Sequence, residues 1–302
     1  MNKANIQPFV AVAGILTVAV SMSVAGSQSG ESFGGIRVFA LCAIIAFAIQ
    51  WLVFIPAYLA QTERFFDLTG SMTYITVAAV GVVAVGNWEP RSLVIAALIF
   101  VWAVRLGWFL FQRVRRSGGD RRFDSIKQSF PSFFLTWTLQ GLWVLLTAAA
   151  GLAAITTAMP AALGWTAFVG VGIWAVGFVI EAVADAQKRA FRSDPANGGR
   201  FIRSGLWAWS RHPNYFGEIV IWVGIAIIAA PALSGWQWLT MVSPVFVFVL
   251  LTRVSGTPIL ERQATARWGA DEEYREYRTK TPVLIPRPPR RSAESRSPKG
   301  GP

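Results

Sequence analysis

Apolar residues in this chain come in long unbroken runs, not at the alternating or 3.6-residue spacings of half-buried strands and surface helices. Eight windows, residues 8–26, 36–60, 71–86, 92–112, 132–157, 162–184, 215–232 and 236–252, approach the roughly 20 apolar residues that one bilayer crossing needs. Short segments rich in Arg, Lys, Gly and Pro separate them. The pattern predicts an all-α fold, a polytopic transmembrane helical bundle of about 7–8 spans. Composition points the same way: 54% of the 302 residues are hydrophobic and only 15% are charged. A mean hydropathy of +0.46 excludes an ordinary soluble domain.

Charge orients the bundle. Lys and Arg concentrate in Arg113–Lys127, Lys188–Arg211, Arg253–Lys280 and the tail from Arg287, whereas the opposite connections carry only Arg37 and Arg91. Eight crossings place all four basic segments on one side, which the positive-inside rule makes cytoplasmic together with both termini. The net charge of +12 is then a topology signal with a smaller attraction for anionic membrane lipids. Its placement in short inter-helix loops argues against nucleic acid as a partner. Trp88, Trp165, Trp236 and Trp238 at one set of ends, with Trp207 and Trp209 at the other, read as interface anchors. Cys42 is the one cysteine and His212 the one histidine, so neither an intramolecular disulfide nor a conventional zinc site is expected. Residues 8–25, ending in "SVAG", fit either a cleaved signal peptide or a retained first helix; with Lys3 alone as the basic flank, the retained helix is the reading adopted. The division expected is 1–60 as N-terminal helices, 61–286 as the main transmembrane domain with cytoplasmic loops, and 287–302 as a disordered basic tail. No obligate protein partner is evident.

Polar residues inside apolar segments are costly and mark candidate sites. Arg105 lies about two turns before the basic end of its helix, with Trp102 and Phe109 on the same face; snorkelling to the headgroups and lining an internal cavity are both open readings. Glu181, Asp185, Lys188 and Arg192 follow a 4-3-4 spacing and share a helix face, Glu181 being the deepest. Pro195, Asn197, Gly198 and Gly199 predict a turn. Arg200, Arg203 and Arg211 then place three guanidiniums within a dozen residues, before "RHPNYFGE" at 211–218. Pro213 suits the first position of a helix, whose unpaired N–H groups attract anions. Guanidiniums fork onto phosphate. Asn214 and Glu218, one turn apart, line one side of that helix start and could read a hydrogen-bonding head such as a carboxamide. Basic loops between membrane helices need no ligand, but the positive-inside rule leaves Asn214 and Glu218 unexplained. The pattern points to a phosphate-bearing cofactor.

"GLWAWSRHPNYFGEIVIWVG", the upstream "EAVADAQK" and the later "VSGTPILERQATARWGADEEYREYRTKTPVLIP" together resemble the DUF1295 proteins, a bacterial branch of the steroid 5α-reductase-like membrane family. The resemblance covers roughly residues 60 to 286. It implies a bacterial inner-membrane protein that holds NADPH from the cytoplasmic side and reduces a C=C bond conjugated to a carbonyl in a lipophilic small molecule. By motif, it implies that Asn214 and Glu218 meet the nicotinamide end, with His212 and Tyr215 in the same element. Asp185 and Arg192 would hold the nucleotide, beside Glu181. Arg200 would meet phosphate, with Arg203 and Arg211 near it, and Tyr277 and "LIP" at 284–286 fit the C-terminal signature. On the substrate side Asp67 resembles the family's early Glu, Trp102 falls where a Tyr belongs, and Arg105 matches a nearby Arg. An indole N–H donates a hydrogen bond but delivers no proton, so Asp67, held neutral by apolar surroundings, Arg105 or Tyr58 would have to act as the acid.

"RHPNY" also occurs in isoprenylcysteine and phospholipid methyltransferases, so an S-adenosylmethionine-dependent methyltransferase is the alternative enzyme. A membrane scaffold without catalysis is the third reading; it leaves the polar cluster without a purpose.

Overall fold

The computed structural model describes residues 3–86, 88–117 and 123–289. The tail expected to be disordered therefore lies almost wholly outside the described residues. Helices α1 (Lys3–Gly26), α2 (Val38–Leu59), α3 (Phe66–Val85), α4 (Pro90–Ser117), α5 (Phe130–Thr156), α6 (Trp165–Ser193), α7 (Pro213–Ala229) and α8 (Val242–Val249) account for the apolar windows. α9 (Thr257–Trp268) and α10 (Glu272–Lys280) follow. Among the described residues eight helical stretches are long and apolar enough to cross a bilayer, the last running from Gly235 to Trp268 through α8, a π-helical turn at Leu250–Val254 and α9. The protein is an integral membrane protein. One feature has no counterpart in the hydrophobic pattern: a two-residue hairpin, β1 (Ser32–Phe33) against β2 (Ile36–Arg37), turned by Gly34 and Gly35 at positive φ.

The chain forms two compact units, one of Met1–Trp174 with Trp222–Val247, the other of Ala175–Ile221 with Phe248–Pro302. Within the first unit α2 packs on both α3 and α5.

In the first unit α5 is the central helix. Every residue from Val144 to Thr156 is buried, and α1, α2, α3 and α4 all pack on it. Its run of Ala148, Ala149, Ala150, Gly151, Ala153 and Ala154 lets neighbours approach closely, which in lipid replaces the hydrophobic drive between helices. A Cβ on Gly151 would press on Ile95, Ile99 and Ile225 at 3.1–3.3 Å. Two polar pairs inside the unit join neighbouring helices: Gln50 Nε2 donates to Thr73 Oγ1 at 2.9 Å, and Trp51 Nε1 to Thr138 Oγ1 at 3.1 Å. Arg91, one of the two basic residues at the weakly charged end, is only 3% exposed. It donates to the carbonyls of Ala161, Ala162 and Ile228, tying the α5–α6 connection to α7. This arginine serves structure, which is why its presence does not contradict the charge pattern.

In the same unit α6 and α7 meet backbone to backbone, where a Cβ on Gly224 would lie 2.7 Å from both Gly170 O and Trp174 N. Gly172, on the same helix as Gly170, faces open space. Gly224→Ala should therefore lower the melting temperature in detergent by the equivalent of about 1–3 kcal/mol, the cost of overpacking. Gly172→Ala should leave it unchanged within about 0.5 kcal/mol. Equal melting curves for the two variants would refute the close contact.

Candidate cofactor site

The second unit is built on another glycine contact. A Cβ on Gly217 of α7 would stand 2.7 Å from Gly177 O and Glu181 N, and one on Gly177 would stand 2.7 Å from Gly217 O and Ile221 N. Pro213, Gly217 and Ile221, one turn apart on α7, form the stripe that faces α6, and all three are buried. That contact brings Glu181 against the backbone beside Glu218. Glu181 and Asp185 are buried, at 2% and 4% exposure, while Asn214, Tyr215 and Glu218 are half-buried around the stripe. Five of the residues singled out in sequence are thereby gathered on two adjoining helix faces. The helix start at Pro213 is observed as expected.

The loop between α6 and α7 is held down residue by residue. The predicted turn forms, with Asp194 Oδ1 accepting from Ala196 N at 2.9 Å and Gly199 at φ +79. Gly205, at φ +60, packs on the Gln187 side chain, whose Oε1 accepts from Leu206 N at 2.9 Å. Trp207 differs from the expectation of an interface anchor. It is 4% exposed, donates from Nε1 to Ala184 O at 3.0 Å, and carries Lys188 Nζ 4.4 Å above its ring. A 3₁₀ turn at Gly205–Ala208 swings it inward onto α6, so it anchors the loop, not the protein in lipid. Trp88, Trp165, Trp209, Trp236 and Trp238 are exposed, in keeping with anchors.

Glu261 of α9 is the charged hub of the unit. Its carboxylate binds Arg211 through Nη1, takes His212 Nε2 at 2.9 Å, and lies 3.8 Å from Arg278 Nε. Arg211, expected to meet phosphate, is thus turned towards a carboxylate of its own unit. Burial, the dominant influence, and the nearby Lys188 and Arg211 charges push the His212 pKa below its ordinary 6.5, against the pull of Glu261. The ring is neutral at pH 7, its Nε2–H donates to Glu261, and Nδ1 is left buried without a partner. The ring lies parallel to that of Tyr215, with centroids 5.5 Å apart.

The C-terminal signature acts through the same loop. Tyr277 donates its hydroxyl to Trp207 O at 2.7 Å, and burial raises its pKa. Ser210, fully buried, donates to Leu284 O at 2.8 Å, while Arg211 N donates to Pro282 O at 2.9 Å. Phe201 packs among Trp268, Tyr274 and Tyr277. Residues 268–286 therefore clamp residues 199–211. Arg192 and Arg200 are exposed, and Arg203 is exposed and paired with Glu273 at 3.0 Å.

Of the substrate-side candidates, all in the first unit, Trp102 is 2% exposed. Its ring lies edge-on to Tyr74 at 5.1 Å and to Trp222 at 5.0 Å. Arg105 is half-buried, its guanidinium 5.8 Å from the Phe109 ring. Asp67 does not sit in the apolar surroundings expected of a neutral acid: Arg113 Nη2 lies 3.0 Å from its Oδ2, the arrangement of an ion pair. Tyr58 is packed among Phe54 and Phe130. Two side chains escaped sequence reasoning. Tyr74 carries the O–H that Trp102 lacks; its signal was a polar "TY" pair in mid-helix. Glu261, inside "ILERQ", gave no signal that its partners would be Arg211 and His212.

The profile described as protein of unknown function (DUF1295) matches residues 51–281, well over half of the chain. The chain belongs to the DUF1295 family. An uncharacterized protein of Schizosaccharomyces pombe is 25% identical to this DUF1295 member over 227 residues, 65% of the chain and 64% of the relative. A 3-oxo-5-alpha-steroid 4-dehydrogenase 1 of Bos taurus is 30% identical over 118 residues, 39% of the chain and 40% of the relative. A probable O-methyltransferase of Ustilaginoidea virens is 33% identical over 63 residues, 21% of the chain and 22% of the relative. The DUF1295 chain spans less than two thirds of the length of each of these relatives. No solved structure matches it.

Because the folded His212 pKa is depressed, the stability contributed by its neutral ring is complete above pH 6.5 and is lost as pH falls below that value. Melting temperature should therefore drop between pH 7.5 and pH 5.5, and the slope should flatten in His212→Gln. An identical slope in variant and wild type would contradict a buried neutral imidazole.

Proposed function

We propose that this chain is a membrane oxidoreductase that reduces a C=C bond conjugated to a carbonyl in a lipophilic substrate, with NADPH as the reductant. The observation that carries the reading is the buried carboxylate pair, Glu181 and Asp185, brought beside Asn214 and Glu218 by the Gly177–Gly217 contact. Burying carboxylates is costly, and this pair borders a helix start whose first N–H groups favour anions. The name borne by the bovine relative supports the reaction class. We place the basic loops and both termini on the cytoplasmic side of a bacterial inner membrane, following the charge asymmetry.

The residues fit such a cofactor in kind. Carboxylates accept from ribose hydroxyls, and Arg192 in the last turn of α6, with Arg200 and Arg203 in the loop after it, would serve as phosphate partners. Asn214 and Glu218 offer acceptor and donor groups for a carboxamide. His212 Nδ1 and Arg211 Nε are buried polar atoms of the same loop that no protein group satisfies. NADPH, when bound, supplies the hydride. On the substrate side, Arg105 and the Trp102 indole can donate to a carbonyl oxygen and so draw electron density from the β-carbon. Tyr74 is the proton donor we assign in place of Asp67, since a phenol both donates a hydrogen bond and releases a proton. Asp67, paired with Arg113, is then a positioning group at the start of α3.

S-adenosylmethionine-dependent methyl transfer is the second reading. It is favoured by the short similarity to the probable O-methyltransferase and by Arg211 being engaged with Glu261, which leaves fewer guanidiniums for phosphate.

Thermal shift of the detergent-purified protein with NADPH and with S-adenosylmethionine separates the two. The dinucleotide should raise the melting temperature and the sulfonium compound should not; the reverse result replaces the first reading with the second. Glu218→Gln should lower turnover of an enone substrate by about 10²-fold or more, in line with loss of a positioned polar group. Unchanged kinetics would remove it from the nicotinamide end.

A further inference from the structure

A cavity of about 720 Å³ lies between α1 and α2. It is lined from Leu16 on α1 to Gln28 just beyond it, and from Arg37 at the end of β2 to Trp51 on α2. Nearly all of this wall precedes the residues matched by the family profile, so the cavity is independent of the oxidoreductase reading. Its cause is visible in the sequence. α1 packs mainly on α5 and on the Gly235–Met241 turn, and less on α2. The two helices touch where the Phe39 ring lies against Gly26, at the hairpin end. Beyond that point small side chains, Ala19, Ala40, Ala43 and Ala48, leave the space unfilled.

The lining is polar at one end only. Ser27, 7% exposed, has a hydroxyl that no protein group satisfies. Arg37 donates to Gly30 O and forms no ion pair among the described residues. Gln28 accepts from Trp236 N through Oε1. Arg37 and Arg91 were the two basic residues at the end that otherwise lacks them; Arg91 is a structural tie, and Arg37 borders this cavity. The apolar wall below, from Ala40 to Trp51 on α2, extends about 17 Å by helix rise. One leaflet of a ~30 Å hydrocarbon core is about 15 Å deep, so the wall accommodates one acyl chain along its length. The cavity is not enclosed, which allows a second chain of the same molecule to remain among the lipids.

We propose that this cavity is a binding site for an anionic phospholipid, one acyl chain lying between α1 and α2 and the phosphate held by Arg37 with Gln28. A guanidinium forks onto phosphate. The lipid fills the gap between the first two helices and fastens α1 to the bundle.

Native mass spectrometry of the full chain, delipidated in detergent and then offered equimolar phosphatidylglycerol, phosphatidylcholine and oleate, tests this. The wild type should retain one phosphatidylglycerol at least several-fold over phosphatidylcholine. Arg37→Gln should abolish the preference, and Ala48→Phe, which fills the half-buried wall, should abolish retention of both phospholipids. A melting curve confirms that each variant is folded, and Val20→Phe, on the opposite exposed wall of α1, replaces Ala48→Phe if that variant melts early. Equal retention of the two phospholipids by wild type, retention of oleate alone, or wild-type behaviour in Arg37→Gln and the wall-filling variant would overturn the proposal.

Discussion

The contact between Gly177 and Gly217, where α6 and α7 touch backbone to backbone, is the constraint on which the candidate site depends. With no room for a Cβ on either side, the two helices approach as only small residues permit. Any side chain there would separate Glu181 from the Asn214–Glu218 face. The glycines contribute no chemistry; they set the distance at which four polar side chains share one region. In lipid, where burying apolar surface does not drive helices together, such close van der Waals packing is the available means of fixing geometry.

A second layer of the design secures the loop that leads into α7. Glu261 gathers Arg211 and His212, the Lys188 ammonium sits on Trp207, and the 282–284 backbone accepts from Ser210 and Arg211. Every one of these contacts falls on residues 205–212, the stretch immediately before the helix start. A loop intended only to connect two spans has no need of such restraint. Holding the first N–H groups of α7 in place in advance is the kind of preorganisation that would lower the cost of binding an anion there. The C-terminal helices α9 and α10, rich in charge, act as the clamp on that loop.

Much of this was legible in the sequence. Eight apolar windows gave the spans, Pro213 gave the start of α7, and the 4-3-4 spacing gave the Glu181 face, because helix periodicity and span length are local properties. What was not legible depends on distant partners. Trp207 looked like a headgroup anchor, since nothing local reveals that Ala184 O and Lys188 receive it. Arg211 looked free for phosphate, since its carboxylate partner is fifty residues away. Asp67 looked like a neutral acid, since Arg113 lies on another helix. α5 read as one apolar window among eight, although its alanine-rich run makes it the centre of the first unit. Tyr74 went unseen beside Trp102 because the two residues meet only through packing between α3 and α4.

Hydrogen–deuterium exchange on the protein in lipid nanodiscs, with and without NADPH, tests the central claim most directly. If α6 and α7 hold a nucleotide at their glycine contact, added NADPH should slow exchange in residues 181–192 and 205–218 and leave α1 and the hairpin at 32–37 unchanged. Slowed exchange confined to other segments, or none at any NADPH concentration, would contradict it.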